Sequence, residues 1–306
     1  MPSTPAIRTV LGDVAPAALG VCDAHDHLFL RSPHLTGQEL DDEARAADEL
    51  RAFRAAGGAA LVQWTPRAMG RRRESLVRLA RTSGVRLVAA TGLHQARQYG
   101  QGHALLDRAA QDFVADLTTA EVPAGLIKVS TGPDGPHGTD GLDPWTRRVM
   151  AAAAEAQHAT GCPVGVHLER PDHAEDAVAL LSGKLGVPPE RILLGHLGRT
   201  ADADTWLRAA ATGAHLVLDG PSAVYGTTDE RVLAALVTLA GAGYGDRLLL
   251  GADTTTSRAA PGRAAHLLDT LRPSLVKALG EEAAERVFVA NPARAFSTRW
   301  SVPRLP

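Results

Sequence analysis

Residues 143–167 read DPWTRRVMAAAAEAQHATGCPVGVH, and this stretch decides the fold. Asp143 offers a side-chain acceptor to the free N–H groups of a helix start, and Pro144 has the fixed φ that suits the first helical position. Apolar residues and alanines follow at helical spacing up to Gly161, the residue type that ends a helix by turning left-handed. Pro163–His167 is then a short apolar run that finishes on a polar group, His167. A capped helix, a glycine and a short apolar strand make one step of a parallel α/β fold.

The same alternation extends in both directions. Strands are predicted over Gly20–Ala24, Ala59–Gln63, Arg86–Thr91, Gly125–Ser130, Pro163–His167, Ile192–Gly195, His215–Asp219 and Leu248–Ala252. Helices are predicted near Asp42–Ala56, Arg73–Thr82, Ala104–Thr118, Pro144–Thr160, Ala174–Gly183, Asp202–Ala211, Asp229–Ala240 and Ala264–Leu279, and a C-terminal helix follows from Glu281. Eight βα units in one series predict an α/β fold of the (β/α)8 TIM-barrel type, a single domain over residues 1–306. No repeat, low-complexity linker or composition shift marks a second domain. An open dinucleotide-binding sheet lacks its marker, because no G-x-G-x-x-G follows the first strand.

Composition excludes several functions. The chain has 45% hydrophobic and 22% charged residues, ordinary globular usage. Lys and Arg number 32 against 34 Asp and Glu, a net charge of −2 that leaves no basic excess for nucleic acid. The cysteines, Cys22 and Cys162, are too few for a disulfide framework, so a cytoplasmic setting is expected. No signal-like N-terminus and no run of about 18 apolar residues points to export or a membrane. Arg71-Arg72-Arg73 opens a helical stretch and reads as a solvated face.

In a barrel the C-terminal strand ends converge on one mouth. Strand one ends Cys22-Asp23-Ala24-His25-Asp26-His27, and two-residue spacing on an extended chain places His25 and His27 on one side. Strands five, six and eight end on His167, His196 and Asp253, and strand four carries Lys128 where an apolar residue would be expected. A single strand-end histidine is ordinarily hydrogen-bonded structure, and a single buried lysine is ordinarily salt-bridged or snorkelling. Four histidines and an aspartate at four strand ends point instead to a metal site with nitrogen and oxygen ligands: zinc first, with manganese, cobalt, iron or nickel as alternatives.

Arg8-Thr9-Val10-Leu11-Gly12-Asp13, Leu19-Gly20 and His25-Asp26-His27-Leu28-Phe29 resemble the opening of the phosphotriesterase family within the amidohydrolase superfamily. Gly125–Val129 resembles its bridging-lysine strand, and Asn291-Pro292-Ala293-Arg294 its closing motif; Val166-His167, Gly195-His196 and Leu250–Asp253 follow in the family's order. The resemblance covers about residues 8–297. It implies an amidohydrolase-type barrel holding two divalent ions. His25, His27 and Asp253 would hold the more buried ion and His167 and His196 the more exposed one. Lys128, carbamylated by CO2, and a hydroxide would bridge them, and Asp253 would act as catalytic proton acceptor, with His196 or another mouth residue as a relay.

The resemblance implies hydrolysis of a small-molecule substrate, and a homodimer is common among relatives. A carboxylic ester or lactone is the first expectation, a phosphotriester or phosphodiester the second, and a non-catalytic small-ligand barrel the alternative of another class. The stretches Gly195–Thr200, Leu218–Ser222 and Tyr244–Arg247 look most like the phosphotriesterase-related, lactonase-like branch. Gly220 follows Asp219 where acyl-homoserine lactonase relatives carry an arginine, which argues against that substrate. Gly198 and Ala223 stand where the sugar-lactonase-like branch would carry an aspartate and a lysine, which also argues against phosphorylated sugar lactones. Arg97, Arg170, Arg199 and Arg258 are candidate anion contacts or solvated loop charges. His94 and Tyr225 are candidate mouth residues, or ordinary loop residues.

Overall fold

The computed structural model of the protein describes residues 4–100, 102–132, 142–222 and 225–300. Ala223 lies outside them. Strands β3 (Cys22–Asp26), β4 (Ala60–Gln63), β5 (Arg86–Gly92), β6 (Leu126–Ser130), β7 (Val164–His167), β8 (Ile192–Gly195), β9 (His215–Asp219) and β10 (Leu248–Gly251) lie in sequence order in one eight-stranded parallel sheet. The sheet curls until its edges meet, where the Asp253 N–H donates to the His25 carbonyl at 2.9 Å. The result is the expected eight-stranded barrel. Ahead of it, β1 (Ile7–Thr9) and β2 (Gly12–Val14) form an antiparallel hairpin.

Helices surround the strands: α1 (Glu43–Ala55), α2 (Arg73–Ser83), α3 (Ala109–Thr118), α4 (Pro144–Thr160), α5 (Ala174–Val178), α6 (Ala203–Ala211), α7 (Asp229–Leu239), α8 (Arg263–His266), α9 (Arg272–Leu279), α10 (Glu281–Glu285) and α11 (Asn291–Ala295). Capping behaves as the residues dictate. The Asp143 carboxylate accepts the Thr146 N–H at 2.7 Å, and Gly161 closes α4 with φ +77°. Between the sheet and the helices lies a continuous apolar layer that includes Leu61, Leu87, Ile127, Val129, Val166 and Leu194. Inside the barrel, Ala24, Val62, Val88, Leu126, Val217 and Leu249 pack with Trp64. The indole fits because β7 carries Gly165: a Cβ there would sit 2.8 Å from the Trp64 ring.

Some boundaries differ from the expectation. Strand β3 runs two residues later than predicted, so His25 lies within it and His27 just beyond. The helix expected over Ala104–Thr118 is divided: Gly102–Leu106 is a tight 3-10 turn, and α3 starts at Ala109. The hairpin β1–β2 was not anticipated, because three-residue strands show no readable alternation. Its Arg8 is fully buried, paired with Asp13 at 2.8 Å, donating to the Leu117 carbonyl at 2.6 Å and lying 3.9 Å over the Trp300 ring. Arg71 and Arg73 are not a solvated face either. With Arg67 they converge on buried Asp116 at 2.6–2.9 Å, a carboxylate that also accepts from Thr91. Among the described residues, no helix is long and apolar enough to cross a membrane.

Candidate metal centre

The strand ends deliver their polar groups to one place. His25 Nε2 and His27 Nε2 lie 3.5 and 3.6 Å from Asp253 Oδ1, an oxygen that is buried and has no hydrogen-bond partner. On the far side, His196 Nε2 faces His167 Nδ1 at 2.7 Å, and the His25 and His196 rings are 4.9 Å apart. Lys128 is buried and lines the same cavity as His27, His167 and Asp253. His196 and Asp253 reach these positions with φ of +71° and +48°. Left-handed backbone at a non-glycine residue costs on the order of 1–3 kcal/mol, and two such residues at one mouth mark stored strain.

Hydrogen bonds fix which nitrogen of each ring is free. Asp219 closes β9, and its two oxygens take the Nδ1 protons of His25 at 2.8 Å and His196 at 2.6 Å. Thr65 Oγ1 donates to the Phe29 carbonyl at 2.6 Å, so toward His27 Nδ1, at 2.7 Å, it acts as the acceptor. All three rings therefore carry their proton on Nδ1; His25 and His27 present a free Nε2 lone pair, and that of His196 accepts from His167 Nδ1 at 2.7 Å. Such outer partners hold a ligating histidine in its tautomer and orientation. Asp219 is near enough to His25 and His196 to suggest a ligand itself, but each of its oxygens is already spent on an imidazole N–H.

Burial sets the charge states. It lowers His27 to about 3, helped by the neighbouring His25, and it lowers His167 and His196 as well, so these imidazoles are neutral near pH 7. Desolvation also brings Lys128 from 10.5 down to about 7, with Asp253 opposing and Arg199 reinforcing the shift. A neutral amine is the form able to react with CO2. Asp219 is held below the usual carboxylate range: burial pushes it up, but the attraction and hydrogen bonds of His196 and His25 outweigh that.

These groups open into a cavity of about 360 Å³ whose lining includes His94, Arg97, Arg199 and Tyr225. Arg170 and Arg258 are not brought there. Both are exposed, and Arg170 pairs with Asp172 at 2.5 Å. Arg97 is already engaged, donating to Glu169 at 2.9 Å and to Gln95 at 2.5 Å. Arg199 sits over Tyr225, its guanidinium carbon 3.7 Å from the ring centre. His94 Nδ1 accepts the Gln95 N–H at 2.8 Å, which puts its own proton on Nε2, and its ring lies 4.6 Å from that of His167.

Four neighbours of the candidate ligands escaped the sequence reading. Asp219 carried the same strand-end signal as the candidate ligands and could have been found by it. Thr65, Glu169 and Trp64 could not: Trp64 floors the site 4.1 Å from His25, and Glu169 stands 3.4 Å from His167, but neither follows a pattern along the chain.

Residues 5–296 match the model of the phosphotriesterase family. The chain is 25% identical to a phospho-furanose lactonase of Mycoplasmopsis synoviae over 330 residues, covering 95% of this chain and 91% of that protein. Its fold superimposes on a lactonase from Listeria monocytogenes with a TM-score of 0.86 at 23% identity, covering 95% and 98% of the two chains. An organophosphorus hydrolase variant from Deinococcus radiodurans superimposes with a TM-score of 0.82 at 27% identity, covering 95% and 97%. A match to the family model over nearly the whole chain, on an eight-stranded parallel barrel, makes this chain a (β/α)8-barrel hydrolase of the phosphotriesterase family.

Proposed function

We propose that the protein is a binuclear metal-dependent hydrolase of carboxylic esters, lactones foremost. The observation that carries this is the unpartnered buried Asp253 Oδ1 with two imidazole lone pairs aimed at it. An orphaned buried carboxylate oxygen is costly, and a divalent cation would repay it. His25, His27 and Asp253 would hold one ion, and His167 and His196 the second. Lys128, as its carbamate, would join them. Zinc suits the set first, with manganese, cobalt, iron or nickel also compatible. When bound, such a pair of ions supplies Lewis acidity toward the substrate oxygen and water acidified to near-neutral pKa.

The chain's own groups supply the rest. Asp253 takes the proton of the attacking water. Its second oxygen lies 3.4 Å from His196 Nδ1 and 3.6 Å from Arg199, contacts that favour the ionised form such a base needs. The relay through His196 does not fit, because Nδ1 is given to Asp219 and Nε2 faces His167. Asp253 therefore returns the proton directly to the leaving oxygen. His94 presents an Nε2–H donor beside the ligands and can steady the substrate's polar end. Arg97 and Glu169 close one side of the mouth as an ion pair.

The second reading, phosphotriester hydrolysis, draws on the likeness to the organophosphorus hydrolase and on the apolar wall formed by Leu30, Leu35, Pro66 and Met69. Turnover of a panel of sugar lactones, an acyl-homoserine lactone, aryl esters and paraoxon, with metal quantified in wild type and Lys128→Ala, decides between the two. Two metals per chain and lysine-dependent lactone turnover are the expected result. Turnover of phosphorus esters alone promotes the second reading, and metal-replete protein with no turnover returns the non-catalytic barrel.

A further inference from the structure

Arg199 is unusual among the arginines at the mouth. Its side chain is only 10% exposed, yet among the described residues its guanidinium makes no hydrogen bond, and its Nε is fully buried without a partner. Its nearest carboxylate oxygen, on Asp253, is 3.6 Å away, too far for a hydrogen bond. Buried donors without acceptors are expensive, and a guanidinium has five. Arg97 illustrates the ordinary case, its fork spent on Gln95 and Glu169. The Tyr225 ring lies 3.7 Å from the Arg199 guanidinium carbon, a cation–π contact that leaves the N–H donors unspent.

The charge around it points the same way. The positive charge of Arg97 is met by Glu169, and the charge of Asp253 belongs to the ligand set. Among the described residues, Arg199 is then left with Asp253, 3.6 Å away and shared with the candidate metal-binding histidines, as its nearest carboxylate. The lining also includes apolar Leu30, Leu35, Pro66 and Met69. A small molecule seated here meets both apolar side chains and a planar fork of donors.

Resting on the hydrolase reading above and deepening it, we propose that Arg199, held by Tyr225, is the anion receptor of the site, and that the substrate is an ester or lactone bearing a carboxylate. The planar fork matches a carboxylate edge with two parallel N–H···O bonds. A single guanidinium also matches one negative charge, whereas a phosphate dianion would leave a second charge unmet.

The test uses metal-loaded enzyme and three γ-lactones that differ in one substituent: a carboxylate, its carboxamide and a phosphomonoester. Wild type favours the carboxylate over the carboxamide by roughly 10- to 100-fold in kcat/KM, and Arg199→Met brings that ratio close to one, mainly through KM. Tyr225→Leu, at a partly exposed position, lowers the ratio several-fold and serves if the arginine variant does not fold. Equal rates on carboxylate and carboxamide in wild type would overturn the proposal and leave the hydrolase intact. So would an Arg199→Met variant that slows all three substrates alike through kcat, which is the signature of an arginine that only positions Asp253. A preference for the phosphomonoester overturns the carboxylate assignment. If no lactone turns over, the hydrolase reading fails separately. Calorimetric titration of wild type and Arg199→Met with the carboxylate and carboxamide lactones then decides the receptor, and equal affinities overturn it.

Discussion

Asp219→Asn separates holding a histidine from binding a metal. In the wild type one carboxylate takes two imidazole protons, at 2.8 Å from His25 and 2.6 Å from His196. An asparagine of the same shape has one acceptor oxygen and one NH2. The oxygen keeps one ring in place. The NH2 confronts the other Nδ1–H, so that ring must lose its hydrogen bond or move its proton to Nε2, the nitrogen needed for the cation. A hydrogen bond to a charged group is worth about 1.5–3 kcal/mol, and loss of such an outer partner commonly weakens metal binding by roughly 10- to 100-fold. The two histidines belong to different ions in the proposed arrangement, so the damage should be one-sided. One metal is expected to resist chelator like the wild type while the other leaves at roughly 10- to 100-fold lower chelator concentration. Asp219→Ala, with no misplaced donor, should weaken both moderately. Elemental analysis after dialysis against graded chelator reads this out. An Asn variant that keeps two metals with wild-type resistance would refute the tautomer argument.

Asp253→Asn should keep most of its metal after reconstitution and lose roughly 10²- to 10⁴-fold in turnover, and a metal-replete variant with wild-type rates would remove Asp253 as proton acceptor. Reconstitution of metal-free protein with metal and bicarbonate should quicken as pH rises through about 7, because burial places Lys128 there and only the neutral amine reacts; a midpoint near 10.5 would contradict this. The sign for stability follows from the same shift. Between about 7 and 10.5 the unfolded chain holds the lysine proton and the folded metal-free chain does not, so that protein should gain resistance to urea as pH rises across the window; a fall there would contradict the burial of Lys128. Gly92→Ala should lower both Tm and metal content, since φ is +101° and a Cβ would sit 2.0 Å from the Lys128 carbonyl oxygen, and a variant unchanged in both would show that β5 and β6 can part freely at the lysine.

The candidate ligands were legible because all but Lys128, which interrupts an apolar run, stand at or near the end of one, and a barrel sends all such ends to one mouth. His25, His27, Lys128, His167, His196 and Asp253 could be named one strand at a time, with no knowledge of which strands are neighbours. The α4 boundaries were legible for a related reason: Asp143 and Gly161 act on the backbone within a few residues of themselves. The β1–β2 hairpin was not, because its stability lies in contacts of Arg8 with Leu117 and Trp300, far along the chain.

The arginines show where such reading stops. Arg71, Arg73, Arg97, Arg170, Arg199 and Arg258 look alike in sequence, each in a polar stretch between apolar runs. What distinguishes them is the carboxylate that the fold carries to each. Asp116 arrives from α3 to take Arg71 and Arg73, and Glu169 arrives from beyond β7 to take Arg97. Asp172 meets Arg170 locally, and water suffices for exposed Arg258. Arg199 alone among these six is largely shielded from solvent and, among the described residues, left with its donors unspent, since Asp253 stops 3.6 Å short and is claimed by His25 and His27 on its other oxygen. An arginine's role here is thus decided by subtraction, after every nearby carboxylate has been assigned, and that subtraction needs the neighbours that only the closed barrel supplies.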